Sequence, residues 1–169
     1  MAKVLQERAS SPFFLMDVDA FVGMAPMKFT DNDGQSVQFE FVARMFHAVR
    51  LFSDMGFNLV VPVIFVDGSG LLEDAITLLH TYPVLLVKVN CSVEELRRRE
   101  EVRGNRKIGE AESLLPHIVP QNTYDIIVGT DGESKEACAD RIIHALHTLG
   151  SRKAFASLWD GMQSMHNRA

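Results

Sequence analysis

Between Leu86 and Gly109 the chain reads LVKVNCSVEELRRREEVRGNRKIG, and six of its 17 Lys and Arg residues fall between Arg97 and Lys107. Arg103 and Arg106 flank Gly104 and Asn105, residue types that break a helix and accept unusual backbone angles. Two guanidiniums on such a turn can form paired hydrogen bonds to phosphate and neutralise charge as it builds on a transferring group. Arg97, Arg98 and Arg99 have a second explanation. Glu94 with Arg98, and Glu95 with Arg99, are i,i+4 pairs in the favourable order, which suits a solvated, salt-bridged helix face. Arg103 and Arg106 are therefore the expected functional pair, with Arg99 a candidate phosphate contact beside them.

A second constellation, Met16-Asp17-Val18-Asp19-Ala20-Phe21, closes the first apolar run. Open α/β sheets bind ligands at the carboxyl ends of their strands. A carboxylate there can take the proton of a hydroxyl attacking phosphorus, which makes Asp19 a candidate general base. Alternatively, one aspartate caps the next turn and the other is solvated. Asp17, Phe21 and Met24 are candidate substrate contacts. With Met27 and Phe29, the last two could line an apolar pocket or belong to the core.

Other patterns point away from chemistry. Gly68-Ser69-Gly70 follows an apolar run, but no lysine follows it and Glu73 and Asp74 enter the next turn. That favours a tight turn over a phosphate loop. His144 and His147 have no third ligand in view, so no metal site is expected. No G-x-S-x-G occurs, which argues against acyl transfer.

Composition sets the remaining limits. A length of 169 residues suits one domain with a real core. The net charge of -5 argues against a nucleic-acid partner, while the local basic cluster suits a small anionic ligand. Cys91 and Cys138 both sit in apolar settings and read as reduced core thiols of a cytoplasmic protein. The N-terminus lacks the apolar run of a signal peptide. No stretch approaches the roughly 20 apolar residues that cross a bilayer, so no membrane partner is expected.

Four apolar runs, Phe13 to Met16, Leu59 to Val66, Val84 to Val89 and Tyr124 to Val128, read as strands buried on both faces. Helical spacing recurs between them. Phe41, Val42, Met45, Phe46, Val49 and Phe52 form one stripe, closed by Gly56. Leu71 to His80, Val93 to Val102 and Ser134 to Leu149 are further helices, the last with Cys138, Ile142, Ala145 and Leu149 on one face. Ser92 and Glu95 form a capping box at the start of the second of these. Thr30 to Gln38 reads as a loop. Residues 1–150 form one α/β domain, and 151–169 a final helix docked on it through Phe155, Leu158, Trp159 and Met162.

With these residues placed, the chain resembles the chloramphenicol phosphotransferase-like family of P-loop kinases from about Leu5 to about Leu149. The likeness rests on DVDAF at 17–21, on DMGFN at 54–58 after a long helix, and on VNCSVEELRRREEVRGNRKIG at 89–109. It continues through YDIIV at 124–128 and EACA at 136–139. The resemblance implies a three-layer α/β sandwich with a mainly parallel sheet. It implies transfer of a phosphoryl group from ATP, with Mg²⁺, to a hydroxyl of a small molecule. Asp19 then matches the catalytic base, and Arg103 and Arg106 match the lid arginines.

The sequence departs from that pattern at two places, one of them the strand at Leu59-Val60-Val61, which continues as Pro62-Val63 where the family pattern is commonly acidic. Such proteins begin with a strand and a G-x-x-x-x-G-K-[ST] cradle, which the 169 residues do not contain; Ala2 to Arg8 matches the helix after the cradle. The expected sheet therefore lacks its first strand, which would lie between the 59–66 and 84–89 strands. These then pair with each other, recruit another segment, or are completed by an upstream one, because unpaired buried backbone groups cost about 1–3 kcal/mol each. An incomplete sheet also favours a homodimer through strand addition. The alternative to a kinase is a non-catalytic anion-binding or interaction module derived from that fold.

Overall fold

The computed structural model describes residues 1–24, 35–104, 108–120, 123–148 and 152–167. Among these residues four short strands form two parallel pairs. β1 (Phe13–Leu15) pairs with β2 (Asn58–Val60), and β3 (Val87–Asn90) with β4 (Ile126–Gly129). The register sets Phe14 beside Leu59 and Leu15 beside Val60. In the other pair it sets Val87 beside Ile126 and Val89 beside Val128.

Side chains alternate between two apolar layers, as strands buried on both faces require. Phe13, Val60, Val87 and Ile126 pack with buried Leu5, Val128, Cys138, Ala139 and Ile142, beneath α1 (Ala2–Arg8) and α7 (Lys135–Thr148). Leu59, Val61, Leu86 and Tyr124 join the other cluster, with α3 (Gln35–Asp54), α4 (Leu71–Leu79) and α8 (Ala154–His166). The result is a helix–sheet–helix sandwich. Arg8 forks onto Asp140 with two 2.6 Å bonds and ties α1 to α7.

The expected helical stripes face the core. On α3 these are Val42, Met45, Phe46 and Val49, and Gly56 ends the helix at φ +84. The Phe57 amide bonds back to Phe52 there, a closure that glycine permits without strain. α3 begins at Gln35, so 35–38 is helix where a loop was expected; the rest of that segment lies outside the described residues. On α7, Ala139 joins Cys138, Ile142 and Ala145, while Leu149 lies outside the described residues. α8 buries Phe155 and stacks Trp159 on His80 of the α4 end, ring centroids 3.9 Å apart.

The strands are shorter than the apolar runs that foretell them. After Val60 the chain leaves the ladder, and Pro62 has no amide to give it. Val66 makes an isolated antiparallel bridge to Ile118, and Val119 donates to Phe65 at 3.2 Å. Of the alternatives open to the second and third runs, pairing with each other is not seen, since no ladder joins β2 to β3 among the described residues. Both instead reach one apolar cluster, through Val60 and Val87.

At Leu86 a side chain takes the amide just before the second ladder begins, while the Leu86 carbonyl accepts the Asp125 amide at 2.9 Å. Asp125 accepts the Leu86 amide at 2.8 Å, and its other oxygen accepts Lys153 and Ala154 at 3.0 and 2.9 Å. One carboxylate thus fixes the approach to β3, the start of β4 and the first turn of α8. Asp125→Ala should lower stability by about 1–3 kcal/mol, the cost of stranding amides of this kind. In urea titrations Asp125→Asn should fall between the two, and tryptic cleavage after Arg152 and Lys153 should rise in step.

Candidate functional site

Both constellations stand where strands end. β1 passes through Met16 into α2 (Val18–Val22), whose N-cap is Asp17. The Asp17 carboxylate accepts the Ala20 amide at 3.1 Å, so it holds the turn. Asp19 lies in the first turn of α2 and is exposed. Phe21 is half-buried against the core with Met16, Val18 and Val22, while Met24 is 79% exposed. Met27 and Phe29 lie outside the described residues.

The second constellation follows β3. Ser92 caps α5 (Val93–Arg103) and its hydroxyl accepts the Glu95 amide at 3.3 Å. The expected reciprocal bond of a capping box is replaced. The Ser92 amide donates instead to Asp131, at 2.7 Å, from the chain leaving β4. Glu95 is thereby released to the arginines.

Arg98 forks onto Glu95 with bonds of 2.5 and 2.6 Å, and Arg99 joins the same carboxylate at 2.7 Å. Arg98 therefore pairs with the residue three positions back, where Glu94 was expected. Arg99 also donates to the Thr130 hydroxyl and carbonyl, both at 3.0 Å, and Thr130 in turn donates to the Asn90 carbonyl at 3.1 Å. Its guanidinium thus bridges the ends of β3 and β4. Arg97 reaches Glu112 at 2.7 Å on α6 (Glu110–Leu114). The three consecutive arginines have protein partners.

Arg103 ends α5 and is exposed, with Gly104 after it at φ +63. Arg106 lies outside the described residues. Gly68-Ser69-Gly70 is a turn with its own bonds: the Ser69 hydroxyl donates to Val66 at 2.6 Å and accepts Leu71 at 3.3 Å. Among the described residues no three His, Cys, Asp or Glu side chains converge as a metal-ligand set.

Sequence reasoning passed over Glu100, which is buried on α5 and bonded to the amides of Gly109 and Ala111. It also passed over Thr130 and Asp131. Their polarity next to an apolar strand was the available signal.

The charge pairs make this junction sensitive to acid. Bonds from Arg98 and then Arg99 pull the Glu95 carboxyl from 4.5 down to about 2. The Ser92 amide lowers Asp131 as well. A carboxylate with a depressed folded value contributes fully above its unfolded value and loses that contribution as pH falls through the folded one. The α5 junction should therefore hold above pH 4.5 and weaken from there toward pH 2. Glu95→Gln should flatten the pH dependence of the unfolding midpoint over that interval. An unchanged slope would remove Glu95 from the account.

Comparison with known proteins gives the family and the fold. The family model described as chloramphenicol phosphotransferase-like protein matches residues 1–147. No curated protein sequence matches. Among solved structures, the tunicamycin resistance protein of Deinococcus radiodurans superposes with a TM-score of 0.64 at 19% identity. The match covers 86% of this chain and 88% of that one. That likeness shows a shared fold. With 147 of 169 residues matched, the chain belongs to the chloramphenicol phosphotransferase-like family.

Proposed function

We propose that this chain carries the acceptor-side base and the lid arginines of an ATP-dependent phosphotransferase acting on a hydroxyl of a small molecule. The observation that carries the reading is positional. Asp19 and the α5 arginines both follow the carboxyl ends of parallel strands, where open α/β sheets bind ligands. Family membership supplies the kinase-like lineage.

ATP supplies the γ-phosphoryl group, with Mg²⁺ as its companion, and no residue of this chain is assigned to the metal. Asp19 takes the proton of the acceptor hydroxyl as its oxygen attacks γ-phosphorus. The bond to the β–γ bridging oxygen breaks and ADP leaves with that electron pair. Arg103 and Arg106 neutralise the charge that develops on the transferring group. Arg99, held by Glu95 and Thr130, supports the strand ends from which α5 departs and offers its remaining N–H groups to phosphate. Asp17 holds the turn that presents Asp19, while Phe21 and Met24 border the acceptor.

One observation favours a second reading, a non-catalytic module that binds anions. The 169 residues spell no G-x-x-x-x-G-K-[ST], so the phosphate cradle is assigned to none of them. Titration calorimetry with Mg·ATP separates the two. Heat at micromolar to millimolar nucleotide followed by ADP release supports the kinase, heat without turnover supports the anion-binding module, and no heat in this chain sinks the kinase reading. Where turnover occurs, Asp19→Ala should reduce kcat by about 10²–10⁴-fold. Arg106→Ala should reduce it by up to about 10³-fold, whereas Arg98→Ala, a helix-face residue, should leave it near the parent value. Equal losses in the two arginine variants would refute the division between lid and helix face.

A further inference from the structure

Asp19 and the α5 arginines follow the carboxyl ends of the strands. The amino ends of β1 and β2 border a cavity of about 160 Å³, and every residue lining it is described. Phe13 and Asn58, the register partners that open the two strands, both line it. Ser10 and Ser11 reach it from the chain leaving α1, and Ile143, Leu146 and His147 from the last turns of α7. Arg152, between α7 and α8, is its full-time cation.

Arg152 is half-buried. Its Nη1 donates to the Pro83 carbonyl at 3.0 Å and its Nη2 to the Leu146 carbonyl at 3.3 Å. A cation on the last carbonyls of a helix is an ordinary cap, and capping explains these two bonds. It leaves the other three of the five N–H groups of a guanidinium unexplained. Among them, Nε–H is buried without a hydrogen-bond partner among the described residues. Both acceptors are neutral carbonyls, and no described carboxylate pairs with this guanidinium. A half-buried charge held only by neutral groups carries a desolvation cost that an anion would offset.

The surroundings favour such a guest. No Asp or Glu lines the cavity, although the chain as a whole carries a net charge of -5. Ser10, Ser11 and His147 are exposed and bond through their side chains to no other described residue. Phe13, Ile143 and Leu146 add apolar surface. A cavity of about 150 Å³ is enough to hold benzene. A small carboxylate with a body of that size would supply the missing counter-charge and acceptors for the uncommitted N–H groups.

We propose that this cavity is a second binding site, at the opposite ends of the strands from the phosphotransferase site, for a small carboxylate with an apolar body about as large as a benzene ring. Its charge meets Arg152, and its body meets Phe13, Ile143 and Leu146.

Benzoate is the probe. Benzyl alcohol serves as its neutral counterpart, and inorganic phosphate as an anion without an apolar body. Each is titrated into the isotope-labelled full chain while backbone amide shifts are followed by NMR. Benzoate should give saturable shifts at Phe13, Asn58 and Leu146 and none at Ser92 or Arg99. The two controls should bind there about tenfold or more weakly, one lacking the charge-assisted bond and the other the apolar contact. Ser11→Glu, at an exposed position, brings a competing carboxylate to the cavity. It should weaken benzoate about tenfold or more at an unchanged melting temperature, and Arg152→Gln should weaken it at least as much.

The absence of saturable shifts at these three amides overturns the proposal, as does saturation confined to Ser92 and Arg99. Equal affinity for benzyl alcohol overturns the role of charge, and equal affinity for phosphate overturns that of the apolar body. Arg152→Gln also gives up bonds to Pro83 and Leu146. If it does not fold, Ser11→Glu carries the decision, and parent-like affinity in that variant counts against the site. Mg·ATP enters none of these readouts, so the outcome is independent of the phosphotransferase reading.

Discussion

A ladder of three or four residues pairs few of the amides its strands bring into the protein, and buried amides must bond to something. In this chain carboxylates take many of the remainder. Asp17 accepts Ala20 after β1, and Asp125 accepts Leu86, Lys153 and Ala154 before β3 and at α8. Asp131 accepts Ser92 after β3, and Glu100 accepts Gly109 and Ala111 at α6. Each bond lies where a strand or helix starts or stops. Short strands and acidic side chains are therefore one solution, and part of the chain's negative charge is internal scaffolding.

The same carboxylates sort the arginines. Because Asp131 takes the Ser92 amide, the Glu95 carboxylate is free to receive Arg98 and Arg99. Arg99 then reaches Thr130 and connects the ends of β3 and β4. Arg97 holds α6 through Glu112. Arg103 comes one turn later, beyond this network, at the exposed end of α5. Neighbouring residues of one type thus divide into struts and an exposed cation. The division follows from which carboxylates their helix turns toward them.

The helices were legible because their stripes repeat at 3.6 residues, and Val42, Met45, Phe46 and Val49 bury as their spacing demands. The strands were legible in place but not in length. An apolar run reports burial, and residues such as Val63 and Leu86 are buried or half-buried without joining a ladder. Asp125 interrupts the apolar character of the fourth run and is the residue that delimits it. Asp17 and Asp19 were legible as a pair, with the cap falling to the first. Glu100 gave no signal, because in RREEVR it is one charge among five and its burial depends on α6 folding back onto α5.

Scaffold and specificity are carried by different residues, which is why a chain can declare its family and withhold its acceptor. The carboxyl ends of β1 and β3 are fixed by ladder register and by side chains bonded to backbone. A likeness at 19% identity preserves the fold across 86% of the chain. An acceptor is selected by short-range apolar shape, worth only about 1–3 kcal/mol per methylene. Here that shape would come from residues such as Phe21, half committed to the core, and Met24, exposed beside it. Exchanging Met24 would disturb no layer of the sandwich, so the fold places no constraint on it. The acceptor can change while β1, α2 and the Asp17 cap keep Asp19 where the proposed reaction places its base.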